Sequence, residues 1–66
     1  QTDYAQILRE YVETGGSVRE MAQSRFCHRN TIHYKLQKIR ELLPVDLDDM
    51  VKRSEILLAF QILDCL

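Results

Sequence analysis

Residues Ser17 to Leu43, SVREMAQSRFCHRNTIHYKLQKIRELL, read as two helices meeting at a tight corner. The shorter helix opens at Ser17 and the longer one near His28. Ser17-Val18-Arg19-Glu20 has the form of a capping box, in which the Ser17 hydroxyl accepts from the Glu20 amide. The Glu20 carboxylate is expected to reach back to the Ser17 amide, so that two orphan donors are satisfied together. Val18, Met21 and Ala22 are the expected inward residues, and the small Ala22 leaves room for a second helix to cross closely. In the longer helix Ile32, Leu36, Ile39 and Leu43 form an apolar stripe along one face. Asn30, Tyr34, Gln37 and Glu41 lie opposite it, with Arg29, His33, Lys35, Lys38 and Arg40 on the flanks.

The corner between these helices contains no glycine. A left-handed residue there has to be non-Gly, at some cost, unless the turn takes a variant form. Cys27 reads as a small apolar plug between the two helices, and His28 as an imperfect N-cap of the second. Pro44 stops that helix, because the residue before a proline is pushed out of the helical region. A short helix, a tight corner and a longer helix with a polar, basic outer face make the plan of a helix-turn-helix DNA reader.

Upstream, Tyr4, Ile7, Leu8, Tyr11 and Val12 recur at helical spacing and predict a first helix with one broad apolar face. Thr2 or Asp3 is its expected cap, and Gly15-Gly16 its end, since glycine readily takes the left-handed conformation that closes a helix. Downstream, Leu47 is expected to tuck onto the core, and Asp48 or Asp49 to cap a last helix. That helix is apolar on more than one face, with Met50, Val51, Ile56, Leu57, Leu58, Ala59, Phe60, Ile62 and Leu63. Such a helix either runs through the middle of a bundle or meets a partner. The expectation is a single all-α, four-helix domain over 1–66, with helices at about 3–14, 18–25, 29–43 and 50–64.

Sixty-six residues lie near the lower size limit for a domain that folds alone. The sequence does not begin with Met and is expected to be a piece of a longer protein. No run is apolar and long enough to cross a membrane. Two cysteines without framework spacing point to a reducing cytoplasm. Cys27, His28 and His33 are too few and too awkwardly spaced for a zinc site, and no cofactor is expected. No Ser, Cys or His has the surroundings of a catalytic triad, so an enzyme is not expected. The net charge of −1 is itself unlike that of a nucleic-acid binder, but its distribution is uneven. Residues 17–40 carry six bases against one acid, whereas residues 1–16 and 41–66 carry net charges of −2 and −4. Local sign sets the field that a phosphate backbone meets.

Several of these residues together resemble a known family. They are Tyr11, Glu13, Gly15-Gly16, Val18 and Ala22, then His28-Arg29-Asn30-Thr31-Ile32 with Tyr34-Lys35-Leu36 and Lys38-Ile39. Asp46-Leu47-Asp48-Asp49, Arg53 and Leu58-Ala59 extend the likeness almost to the end. This pattern resembles the C-terminal domain of PucR/CdaR-type bacterial transcription regulators, a Fis-like helix-turn-helix. The resemblance implies a domain at the end of a longer, metabolite-sensing regulator of catabolic operons. Two positions depart from the pattern. Arg25 stands where an apolar residue usually closes the second helix, with Phe26 expected to take over its packing, and Met50 stands where a proline often opens the last helix.

In such a reader the N-terminal half of the second helix reaches the base edges. Arg29, Asn30, His33 and Tyr34 are therefore the candidate base contacts, and Ser17, Arg19, Thr31, Lys35 and Lys38 the candidate phosphate contacts. Arg29 suits a bidentate pair to guanine and Asn30 one to adenine. The partners expected are double-stranded DNA and a second copy of the chain, joined through the last helix or through a region upstream. The competing expectation is a helical dimerisation or docking module whose basic face is merely solvated.

Overall fold

The computed structural model describes residues 4–66. They form α1 (Tyr4–Glu13), α2 (Val18–Arg25), α3 (Arg29–Leu42) and α4 (Met50–Cys65), with no strand among the described residues. The all-α, four-helix architecture is thus as the periodicity predicts, with helix ends shifted by single residues. The expected cap at Thr2 or Asp3 lies outside the described residues.

Two crossed backbone bonds close α1. Gly16 N–H donates to the Tyr11 carbonyl at 2.7 Å, and Gly15 N–H donates to the Val12 carbonyl at 3.2 Å. This is a Schellman closure, which needs a left-handed residue, and Gly15 supplies it at φ +70. Gly16 also has positive φ, at +89. The chain then enters α2 immediately. At the other end of the long helix, Leu43 is extended (φ −109, ψ 126) because Pro44 follows it. α3 therefore stops one residue before the apolar stripe does, although Leu43 still packs against the core.

The core joins Ile7 and Tyr11 of α1, Met21 and Ala22 of α2, and Ile32, Leu36 and Ile39 of α3 to Leu47 of the following loop. Leu47, only 1% exposed, closes the floor. Arg53 holds the loop by donating from Nη1 to the Leu47 carbonyl at 3.0 Å. Of the two candidate caps, Asp49 is the one that caps α4, accepting from the Val51 amide at 2.8 Å. Asp48 instead accepts from Arg40 at 3.1 Å.

α4 packs on α1 alone among the helices. Arg9 fastens the two by donating to Asp64 at 2.7 Å and lying over the Phe60 ring, 4.6 Å from its centroid. The hydrogen bond to Arg9 holds the Asp64 carboxyl below its ordinary value and raises the Arg9 guanidinium above its own. No α4 side chain is buried. The helix does not run through the middle of the bundle, and its surplus apolar residues face outward.

Leu47→Ala is expected to cost about 2–5 kcal/mol, the range for removing a buried leucine side chain. Leu42→Ala, at a position 67% exposed, is expected to stay within about 0.5 kcal/mol of the parent. Urea unfolding followed by circular dichroism separates the two.

Candidate nucleic-acid interface

The helix-turn-helix is α2, the corner Phe26-Cys27-His28, and α3. α2 starts with Ser17 in the extended region, its hydroxyl accepting from the Glu20 amide at 3.2 Å. The reciprocal arm is not the one expected. Ser17 N–H donates to Thr14 Oγ1 at 3.1 Å, so the preceding turn, and not the Glu20 carboxylate, satisfies it. The turn through Gly15-Gly16 brings Thr14 close enough to do this, leaving Glu20 exposed.

α2 ends in a second Schellman closure. Cys27 N–H donates to the Ala22 carbonyl at 3.1 Å and Phe26 N–H to the Gln23 carbonyl at 3.3 Å. The left-handed residue is Phe26, at φ +55 and ψ +44. A side chain in that conformation costs about 1–2 kcal/mol. Cys27, half-buried against the core, makes the apolar contact that accompanies such a closure. Phe26 does not take over the packing expected of it, since the ring is 96% exposed. Arg25 stays on the body by a two-pronged bond to Glu10 of α1, with both N···O distances 2.8 Å. That pair supplies the attachment an apolar residue was expected to give.

His28 caps α3 as expected, its Nδ1 accepting from the Asn30 amide at 3.0 Å while its carbonyl accepts from Thr31 N–H at 2.9 Å. Ile32, Leu36 and Ile39 seat the helix on the core. Arg29, Asn30, Thr31, His33 and Tyr34 are all exposed on its outer surface. Only the backbone amide of Asn30 takes part in the cap, so its side chain is not needed there. Tyr34 is 65% exposed. Lys38 Nζ sits 5.5 Å from the centroid of that ring.

The structure divides the cations that the sequence groups together. Arg25 is paired with Glu10 of α1 and Arg40 with Asp48 of the loop before α4. Lys38 approaches Glu41 at 4.0 Å, an exposed pair of small energetic consequence. Arg19, Arg29 and Lys35 form no ion pair among the described residues. Arg19 and Arg29 line one open groove of about 760 Å³ between α2 and the start of α3, together with Gln23, Phe26 and His28. Ser17, Lys35 and Lys38 do not line it. Of the groove's residues only Arg19 and Arg29 were singled out for a site by the sequence pattern, and the most exposed of the others is Phe26. Its signal was the missing corner glycine, which leaves a bulky residue at the left-handed position.

The sequence from residue 4 to residue 62 matches the family described as the PucR C-terminal helix-turn-helix domain. The chain belongs to that family. The match spans α1, α2 and α3 and most of α4, so the PucR-type domain includes the apolar last helix as well as the helix-turn-helix itself. No curated protein and no solved structure matches the chain. In this PucR-type domain no helix is long and apolar enough to cross a membrane among the described residues.

The cap of α2 makes a specific test of local structure. Thr14→Val removes the acceptor of the Ser17 amide and is expected to lower stability by about 1 kcal/mol, as loss of a cap does. Glu20→Gln removes no hydrogen bond of that cap and is expected to change the melting temperature less. Thermal unfolding of the two variants side by side gives the order.

Proposed function

We propose that this domain binds double-stranded DNA in a sequence-specific manner, as a homodimer, within a cytoplasmic bacterial transcription regulator. It acts as a binding module and not as an enzyme. The observation that carries this reading is the open outer face of α3. Arg29, Asn30, His33 and Tyr34 are exposed there, and none of their side chains is hydrogen-bonded to the described residues. A helix seated by one face with its first two turns free suits insertion into a major groove. Membership of a family of helix-turn-helix domains supports the same reading.

In this reading Arg29 and Asn30 read base edges, the first suited to guanine and the second to adenine, each good pair contributing about 1–3 kcal/mol of discrimination. His33 and Tyr34 follow one turn later. Ser17, whose hydroxyl proton remains available after it accepts the Glu20 amide, meets phosphate with Arg19, Thr31, Lys35 and Lys38. These contacts fix register without reading sequence.

One α3 touches few base pairs, so selectivity calls for two copies. α4 supports such a pairing. Val51, Leu58 and Ile62 follow helical spacing along it and are 61%, 56% and 54% exposed. The helix packs on α1 and not on α3, so joining two copies there leaves both recognition helices free. A domain 31 × 24 × 23 Å across is also of a size to set two such helices about 34 Å apart, one turn of DNA. The competing reading, a docking module with a solvated basic face, draws on the same α4 surface and differs only in what α3 does.

Charge reversal separates them. Arg29→Glu with Lys35→Glu is expected to abolish retention of duplexes selected from a random pool, while sedimentation shows unchanged self-association. In the parent, affinity is expected to fall steeply as salt rises, as release of counterions requires. A parent that retains no duplex even at low salt would favour the docking module. For the dimer, Leu58→Glu is expected to shift the sedimenting species toward monomer without unfolding the domain, because Leu58 is not part of the core.

A further inference from the structure

One aromatic side chain of the helix-turn-helix takes no part in the core. Phe26 is 96% exposed and stands in the left-handed region at φ +55. Both features run against elementary preference. The left-handed position of a Schellman closure is ordinarily glycine, as at Gly15 in this same chain, or else asparagine. A benzyl group kept in water forgoes the gain that burial of its apolar area brings. The fold makes no use of the ring. The closure needs only the backbone of Phe26, and its apolar contact comes from Cys27. A residue in an unfavoured conformation that serves no packing purpose marks a site of use elsewhere.

The surroundings say what that use is. Phe26 lines the open groove that also holds Arg19 and Arg29, two guanidinium groups with no ion pair among the described residues. Arg29 begins α3 and Arg19 lies in the first turn of α2. An exposed ring that shares a groove with two such cations matches a polyanion that carries apolar groups of its own. Duplex DNA is such a surface, with thymine methyls at the edge of the major groove beside the deoxyribose and phosphate of the strand. The left-handed step leaves the ring outside the corner while Cys27 packs inward.

We infer that Phe26 is a DNA-contacting residue, its ring packing on the apolar edge of the duplex at a thymine methyl or the neighbouring deoxyribose. This inference rests on the DNA-binding reading of α3. It adds to the polar contacts a residue that senses the shape and methylation of the groove edge.

The test uses the whole chain and one duplex selected by the parent from a random pool. Phe26→Gly and Phe26→Asn both suit the left-handed position, so each is expected to melt at or above the parent temperature. Each is also expected to bind the duplex roughly five- to tenfold more weakly, within the range for one lost base contact. Phe26→Tyr retains the ring and is expected to keep most of the affinity. Replacing thymines singly by uracil locates the contact. A position where the parent loses affinity and Phe26→Asn does not identifies a methyl; weaker binding by Phe26→Asn with no such position identifies the sugar. The inference is overturned if Phe26→Gly and Phe26→Asn bind as tightly as the parent. It is overturned equally if they lose self-association in sedimentation, since the ring would then serve a protein contact. A parent that binds no duplex removes the underlying reading as well, and that result is distinct because it appears before any variant is made.

Discussion

The aim of α3 depends on how the corner at Phe26-Cys27 is closed. Two backbone bonds, from Cys27 to Ala22 and from Phe26 to Gln23, end α2 and fix the direction in which the chain leaves it. Neither can form unless Phe26 is left-handed, because only that conformation turns both amides back onto the last turn of the helix. His28 then starts α3 at once by accepting the Asn30 amide. With no spare residue in the corner, there is little freedom in the angle between the two helices. The cost of a left-handed phenylalanine is borne by the core beneath, where Ala22, Ile32 and Leu36 are buried together.

α1 plays the complementary part. It is the one helix in contact with each of the others, and Ile7 at its centre is fully buried. On one side it carries the helix-turn-helix, through Tyr11 and the Glu10–Arg25 pair. On the other it carries α4 through Arg9, which holds both Asp64 and the Phe60 ring. The domain is therefore a packed three-helix unit with a fourth helix laid along its back. Fastened by exposed polar contacts and half-buried side chains, α4 keeps much of its apolar surface in water. A small domain gains little from a helix held in this way unless the free side is covered in the assembled protein.

Electrostatics follows from the same geometry. A chain of net charge −1 carries a basic segment because most of its acids lie elsewhere, at Asp46, Asp48 and Asp49 in the loop before α4 and on α1 and α4. Two cations of the basic segment are used structurally, Arg25 against Glu10 and Arg40 against Asp48. Arg19, Arg29 and Lys35 form no ion pair among the described residues. These three lie on the two helices of the motif.

Much of this was legible in the residues. Helical periodicity, Gly15-Gly16, Ser17 and Pro44 place the four helices to within a residue, because each acts through local backbone geometry that needs no distant partner. The outer face of α3 was legible for the same reason, since the residues opposite Ile32, Leu36 and Ile39 must face away from the core. What the residues left open were choices between partners that are remote in sequence or nearly equal in chemistry. Thr14 displaced Glu20 at the Ser17 amide because the turn brought it nearer, Asp49 prevailed over Asp48 as a cap, and Arg25 found Glu10 on another helix. The sequence by itself determined the elements, their buried faces and the location of the basic segment. Only the tertiary structure decided that Phe26 stands in water beside Arg19 and Arg29, and that α4 lies on the surface. Both depend on which sites in the small core were already filled, by Cys27 at the corner and Leu47 at the floor, and no local pattern records that occupancy.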